Sequence, residues 1–107
     1  MREVSTQAFA SARADGAVTI DVREPAEYLA GHVPGVRLMP MGEVGLRADE
    51  LPRSTPVYVI CQNGNRSLVI ADALIRQGFD ARSVAGGQSA WESAGYPVIR
   101  GAASAVA

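Results

Sequence analysis

The sequence predicts an α/β fold: an open, mostly parallel sheet with helices on both faces. Two observations predict it. Short strand-like segments alternate with helix-like segments through short connections, which is typical of a parallel sheet covered on both sides. Residues 57–60 form a run of four apolar side chains, V-Y-V-I, which is too short for a helix and is followed by polar residues and a glycine. Such a run indicates a central strand buried on both faces.

The chain begins with a predicted short helix and a strand. Ser5 can cap a helix that extends to about Ala14, because a serine oxygen accepts a hydrogen bond from a backbone N–H of the first turn. The pair Asp15-Gly16 then ends the helix. Residues 17–22 are predicted to form the strand that follows.

A second helix is predicted over residues 26–30. Pro25 has the fixed φ that suits a first helical turn, and Gly31 ends the helix. Residues 36–39 are predicted to form a short strand. Residues 41–51 contain two glycines, which weaken a longer helix, so we expect one or two short turns there.

The C-terminal half continues the alternation. The central strand leads into a long helix that ends at Gly78 in a left-handed cap. Residues 81–84 are predicted to form another strand, and residues 88–93 a helix that carries Trp91 inward. Residues 101–107 are small and uncharged, and we expect them to form a flexible tail. These patterns place four strands along the chain.

Composition limits the classes of function. The chain of 107 residues suits one domain, and its ten basic residues, all arginine, are scattered, so no nucleic-acid or membrane surface is predicted. One cysteine excludes a disulfide within the chain, and one cysteine with one histidine cannot form an ordinary zinc site. No metal or cofactor is predicted. No signal-like segment or run of roughly 18 apolar residues is present, so a cytoplasmic location is expected.

The candidate functional residue is Cys61, which lies between the end of the central strand and the start of the long helix. Unpaired N–H groups and the dipole of a helix N-terminus stabilise a thiolate there. A lone cysteine is more often an inert packing residue. However, Gly64, Arg66 and Ser67 follow it closely, and packing alone requires neither a glycine-bearing loop nor a nearby cation. The pattern therefore favours a reactive cysteine.

The segment C-Q-N-G-N-R-S at residues 61–67 resembles the active-site loop of the rhodanese family of sulfurtransferases. Three further segments resemble the family in the same order: D-V-R-E-P-A-E-Y at 21–28, G-H-V-P-G-V at 31–36, and A-G-G-Q-S-A-W-E-S-A-G-Y-P-V at 85–98. The resemblance implies a five-stranded rhodanese-like sheet and a single domain over residues 1–100.

The resemblance also implies a reaction. Cys61 would take a sulfane sulfur from an anionic donor such as thiosulfate, hold it as a persulfide, and release it to a thiol or cyanide. A protein sulfur carrier or a thioredoxin-like reductant is a possible partner. The implied binding loop consists of Gln62, Asn63, Gly64, Asn65, Arg66 and Ser67, whose amides would stabilise the persulfide. Many family members carry a cation where Gln62 and Asn63 are neutral, so the natural donor stays open.

Other polar residues have supporting roles in this interpretation. Arg66 either faces the donor or braces the loop through a bidentate pair with a carboxylate. Asp21 and Arg23 share one face at a strand end, and the resemblance makes them scaffold residues near the pocket. We expect His32 to hydrogen-bond its own turn. Glu27 is expected to fix its helix, and Trp91 to pack in the core.

Two other classes of function remain open from the sequence. Cysteine phosphatases also place a thiolate in an amide cradle before an arginine, but they have five intervening residues and this chain has four. A rhodanese-like domain can also be a non-enzymatic binding module, although such modules often lack the cysteine. The oligomeric state is not indicated by any pattern in the sequence.

Overall fold

A computed structural model describes residues 2–102, which form an α/β fold around one five-stranded parallel sheet with strand order β1-β5-β4-β2-β3. The strands are β1 Glu3–Val4, β2 Val18–Asp21, β3 Arg37–Leu38, β4 Val57–Ile60 and β5 Ala81–Val84. The α-helices are α1 Thr6–Ala14, α2 Pro25–Ala30, α3 Val44–Arg47, α4 Asn65–Arg76 and α5 Gly87–Ser93. Two 3₁₀ turns, Met41–Glu43 and Ala48–Glu50, flank α3.

The helices begin and end within two residues of the predicted boundaries, and their caps explain where they do so. The hydroxyl of Ser5 accepts the N–H of Ala8 at 3.1 Å and so caps α1. Pro25 occupies the first turn of α2. Beyond α4, Gly78 has φ of 95°, which glycine adopts without strain. Residues 41–50 form three consecutive short turns, slightly more helix than the sequence predicted.

The strand that the sequence analysis did not locate is β1. It has only two residues, and it lies at the sheet edge, where Glu3 and Val4 pair with Ser83 and Val84 of β5. Two residues directly before the helix cap at Ser5 show no usable alternation of apolar and polar residues, and no turn signal separates them from the helix. The five-stranded sheet implied by the family resemblance is therefore confirmed, with its fifth strand at the N-terminus.

The two faces of the sheet bury separate cores, as the alternation of side chains along β4 requires. Val57 and Val59 point to the core that α3 and α4 cover, and Tyr58 and Ile60 point to the opposite core, where α1, α2 and α5 pack. All four side chains are buried. Helices on both faces, and a central β4, are thus confirmed.

The parallel strands bring three connections to one edge of the sheet. The carboxyl ends of β2, β4 and β5 lead into Arg23, Cys61 and Gly86, so the segments that follow these strands meet at the edge where open α/β sheets bind ligands. No helix within residues 2–102 is long and apolar enough to cross a bilayer. The tail expected over residues 101–107 falls largely outside the described residues, and the N–H of Gly101 donates to the carbonyl of Leu29.

Candidate active site

The loop between β4 and α4 presents Cys61 directly after the last residue of the central strand. α4 begins at Asn65, and Gly64 precedes it with φ of 97°. A Cβ at Gly64 would lie 3.1 Å from the backbone nitrogen of Gly86. Both the left-handed conformation and this close approach require glycine at the turn.

Backbone N–H groups of the loop point at the sulfur of Cys61. The N–H groups of Gly64 and Ser67 donate to Sγ at 3.1 Å and 3.2 Å, and the hydroxyl of Ser67 contacts Sγ at 3.3 Å. The side chain is only 1% exposed and belongs to the core that α4 covers. The cysteine is therefore buried, as a packing residue would be, yet it is surrounded on one side by hydrogen-bond donors.

These donors determine the pKa of Cys61. Burial of the thiol raises its pKa, but hydrogen bonds from the hydroxyl and N–H of Ser67 and from the N–H groups of Gly64 and Asn63 lower it. The net result is a pKa below that of an ordinary cysteine. A lowered pKa increases the fraction of thiolate, the nucleophilic form, at neutral pH.

A second buried hydroxyl lies behind Ser67. Ser83, in β5, places its Oγ 2.8 Å from the Oγ of Ser67, and both residues are fully buried. Ser83 was not among the predicted site residues. No local signal in the sequence pointed to it, because only the sheet register places it beside the core residue Val59 of β4.

Arg66 braces the loop. Its two terminal nitrogens donate to the two carboxylate oxygens of Glu27 at 2.8 Å and 2.9 Å, a bidentate pair that ties α4 to α2. This geometry selects the second of the two roles that the sequence left open for Arg66. Glu27 also accepts the N–H of Glu24, which confirms that it fixes its own helix. Its pairing with Arg66, 39 positions away, was missed.

The charge of Arg66 is largely neutralised by this pair. Hydrogen bonding from Arg66 is the main reason that the pKa of Glu27 falls to about 2. Glu27 is therefore ionised over the whole range in which a cysteine titrates.

Asp21 and Arg23 form the buried support of the loop. Their side chains are 0% and 2% exposed, and the Nε and Nη2 of Arg23 donate to the carboxylate of Asp21. The remaining donors of Arg23 reach the side-chain oxygen of Gln62 at 3.0 Å and the carbonyl of Gly31 at 2.8 Å. One guanidinium thus connects the end of β2, the turn after α2 and the cysteine loop.

The neutral loop residues bind to each other and to α5. Gln62 donates its side-chain amide to the hydroxyl of Ser89, which in turn donates to the side-chain oxygen of Asn63. Asn65 is exposed at the first position of α4. These side chains form a polar, uncharged rim beside Cys61.

The start of α5 holds the loop from the other side. The N–H groups of Gln88 and Ser89 donate to the carbonyls of Cys61 and Gln62 at 2.8 Å and 3.0 Å. A Cβ at Gly87 would lie 2.3 Å from the carbonyl oxygen of Cys61, so only glycine fits there. The glycine pair Gly86-Gly87, which follows β5, thus lies in contact with the loop.

His32 and Trp91 belong to the scaffold. His32 is fully buried, stacks on Tyr28 at 3.6 Å between ring centroids, and bonds through Nδ1 to the carbonyl of Tyr28. This bond ties His32 to α2, the helix that directly precedes its turn. Trp91 is 4% exposed and donates to the carbonyl of Pro97, which confirms its packing role. Within residues 2–102, no cluster of three or more side chains suits a metal ion.

Comparison with known proteins agrees with this architecture. The family model described as "Rhodanese-like domain" matches residues 5–94. The thiosulfate sulfurtransferase GlpE of Pseudomonas entomophila is 34% identical over 97 residues, which cover 90% of this chain and 88% of that protein. The Bacillus subtilis protein YrkF, whose name designates it a candidate sulfur carrier protein, is 43% identical over 79 residues, covering 72% of this chain and 43% of YrkF.

A solved structure shows the same fold. The crystal structure of a rhodanese-related protein from Thermoplasma volcanium superposes with a TM-score of 0.86 at 29% sequence identity and covers 92% of this chain and 98% of that one. The family model matches residues 5–94, which is most of the chain, and the solved relative has the same fold. The chain belongs to the rhodanese-like domain family.

Proposed function

We propose that this protein is a sulfurtransferase that moves a sulfane sulfur from an anionic donor such as thiosulfate to a thiol or to cyanide through a persulfide on Cys61. The observation that carries the proposal is the direction of two backbone N–H groups, those of Gly64 and Ser67, at the sulfur of Cys61. Similarity to enzymes named thiosulfate sulfurtransferase supports the general activity.

The reaction is a double displacement. The thiolate of Cys61 attacks the outer sulfur of thiosulfate and forms a new S–S bond. The bond between the outer sulfur and the sulfonate sulfur breaks, and sulfite leaves with its electron pair. The enzyme is then a persulfide anion. A thiolate or cyanide attacks the outer sulfur of that persulfide, takes it up as a new persulfide or as thiocyanate, and regenerates the Cys61 thiolate. Atoms and charge balance in both steps without an added oxidant or reductant.

The loop suits both anionic states of the enzyme. Donors fixed before negative charge develops stabilise that charge without a cost of reorganisation. The bidentate pair with Glu27 and the buried pair between Asp21 and Arg23 keep the loop in this shape. Cys61 would be the catalytic residue, the segment from Gln62 to Ser67 the persulfide-binding loop, and Asp21 and Arg23 its support.

The partners follow from the same chemistry. The arginines beside the site are paired with carboxylates, so the rim offers no unpaired cation among the described residues to select a dianion. The rim therefore does not favour thiosulfate over a persulfide donor. Thiosulfate serves as the simplest probe of sulfur uptake. The similarity to YrkF supports a protein sulfur carrier as acceptor, with a thioredoxin-like reductant as the other candidate. We propose a cytoplasmic enzyme without a cofactor.

The proposal is tested by the intact mass of the protein. After incubation with thiosulfate, mercaptopyruvate or a persulfidated carrier protein, we expect a gain of one sulfur atom, which cyanide then removes. An unchanged mass with all three donors would contradict the proposal and favour a binding module. Steady hydrolysis of a phosphotyrosine analogue that depends on Cys61 would instead indicate a phosphatase.

A further inference from the structure

Three buried polar atoms lie in a row behind the reactive sulfur. The Sγ of Cys61 lies 3.3 Å from the Oγ of Ser67, which lies 2.8 Å from the Oγ of Ser83. The three residues are between 0% and 1% exposed. They come from the loop, α4 and β5, so the row passes from the site into the sheet.

The number of hydrogens in this row determines its direction. Each serine hydroxyl carries one hydrogen and can accept through its oxygen. When Cys61 is a thiolate, the hydrogen of Ser67 points at the sulfur. The oxygen of Ser67 then accepts the hydrogen of Ser83, and every hydrogen in the row has an acceptor.

The reverse direction is less favourable. If Cys61 is a thiol and donates to Ser67, the hydrogen of Ser67 turns to Ser83. The hydroxyl of Ser83 then has no other hydrogen-bond acceptor among residues 2–102, and a buried donor without an acceptor costs free energy. The row therefore matches an ionised sulfur better than a protonated one.

We propose that Ser83 is a positioning residue that holds the hydroxyl hydrogen of Ser67 on the sulfur of Cys61. Ser83 does not touch the sulfur and acts through Ser67 alone. Successive hydrogen bonds polarise one another, so the bond from Ser83 makes Ser67 a stronger donor. This inference rests on the proposed role of Cys61 as the nucleophile, because a packing cysteine would gain nothing from the arrangement.

A purely structural role for Ser83 makes a different prediction. The backbone N–H of Ser83 donates to the carbonyl of Arg2, and this bond at the sheet edge does not need the side chain. Ser83→Ala removes one oxygen atom and leaves these strand contacts in place. A packing residue would change stability slightly on this substitution and leave the titration of Cys61 unchanged.

The experiment measures the titration of Cys61 by the ¹³C chemical shift of its Cβ, which is unambiguous because the chain has one cysteine. In Ser83→Ala we expect the pKa of Cys61 to rise by about half a unit, since a hydrogen bond to a charged group weakens by a fraction of its strength when its chain is shortened. Ser83→Thr, which keeps a hydroxyl, should restore most of the original value.

Thr19→Val is the matched control. Thr19 is 3% exposed in β2, which lies on the other side of β4 from β5, and its hydroxyl donates to the carbonyl of Ala17 before the start of that strand. We expect this variant to titrate like the wild type. A folded Ser83→Ala protein with an unchanged pKa would overturn the proposal, and so would an equal rise in Thr19→Val.

The charged groups that face the loop stay the same in all of these variants. They are Arg66 and Glu27, paired with each other, and Arg23 and Asp21, paired with each other. The titration is also independent of activity. If the wild type takes up no sulfur but Ser83→Ala shifts the titration, the proposed function fails and the positioning role stands. If the wild type takes up sulfur and the titration does not shift, only the positioning role fails.

Discussion

We expect Cys61→Ser protein to take up no sulfur and to form no thiocyanate from thiosulfate and cyanide. A serine hydroxyl remains protonated at neutral pH, and the loop lowers the pKa of a thiol without supplying a base for a hydroxyl. We expect a fall of more than about a thousandfold in turnover, as for the loss of a covalent nucleophile. Thiocyanate release and intact mass measure the two halves of the reaction, and circular dichroism confirms the fold.

A relocated thiol separates reactivity in the loop from the mere presence of a thiol. The double variant Cys61→Ser, Ser11→Cys carries its only cysteine on the exposed side of α1, far from the amides of the loop. We expect this protein to be as inactive as Cys61→Ser. Sulfur uptake from thiosulfate at wild-type rate by the relocated thiol would show that the loop contributes nothing.

Asp21→Asn has the largest expected effect on stability. It keeps the volume of the side chain but leaves the guanidinium of Arg23, 2% exposed, without its carboxylate. Removing one partner of a buried ion pair typically costs about 3 to 5 kcal/mol, a large share of the roughly 5 to 15 kcal/mol that stabilises a small domain. Urea unfolding measures this loss, and we expect sulfur uptake to fall because Arg23 also holds Gln62.

The matched control removes a carboxylate from an exposed pair. Asp72 binds Arg2 at 2.8 Å, but the two side chains are 35% and 53% exposed. Exposed ion pairs contribute little because water and salt screen them. We expect Asp72→Asn to unfold close to the wild type. A midpoint for Asp21→Asn that also stays near the wild-type value would mean that the buried pair does not hold the loop.

The features that the sequence predicted well are local. The apolar run of β4, the glycine before α4 and the cap at Ser5 each depend on neighbouring residues, so their structural meaning can be read directly. The position of Cys61 along the fold followed from these features, because the residue lies between the end of a buried strand and the start of a helix. The strand β1 was not located, because its two residues directly precede the cap of α1 with no turn signal between them.

The features that the sequence did not reveal are pairings between distant residues. Glu27 and Arg66 are 39 positions apart, and Ser67 and Ser83 are 16 apart. The first pair forms because the parallel strands bring the starts of α2 and α4 to one edge of the sheet, and the second forms because α4 packs on β5. Many carboxylates could pair with Arg66 on sequence grounds, and nothing local distinguishes Ser83 from a surface serine. The depth of Cys61 was also hidden, because a residue at a strand end can be either exposed or buried.

In the proposed reaction, the amides of the loop hold an anionic sulfur chain on Cys61. A crystal structure of the protein after loading with a sulfur donor would show whether they do. We expect one additional sulfur atom bonded to the Sγ of Cys61 and within hydrogen-bond distance of the loop N–H groups. A loaded protein whose extra sulfur lies on another residue, or turns away from these N–H groups, would contradict the claim.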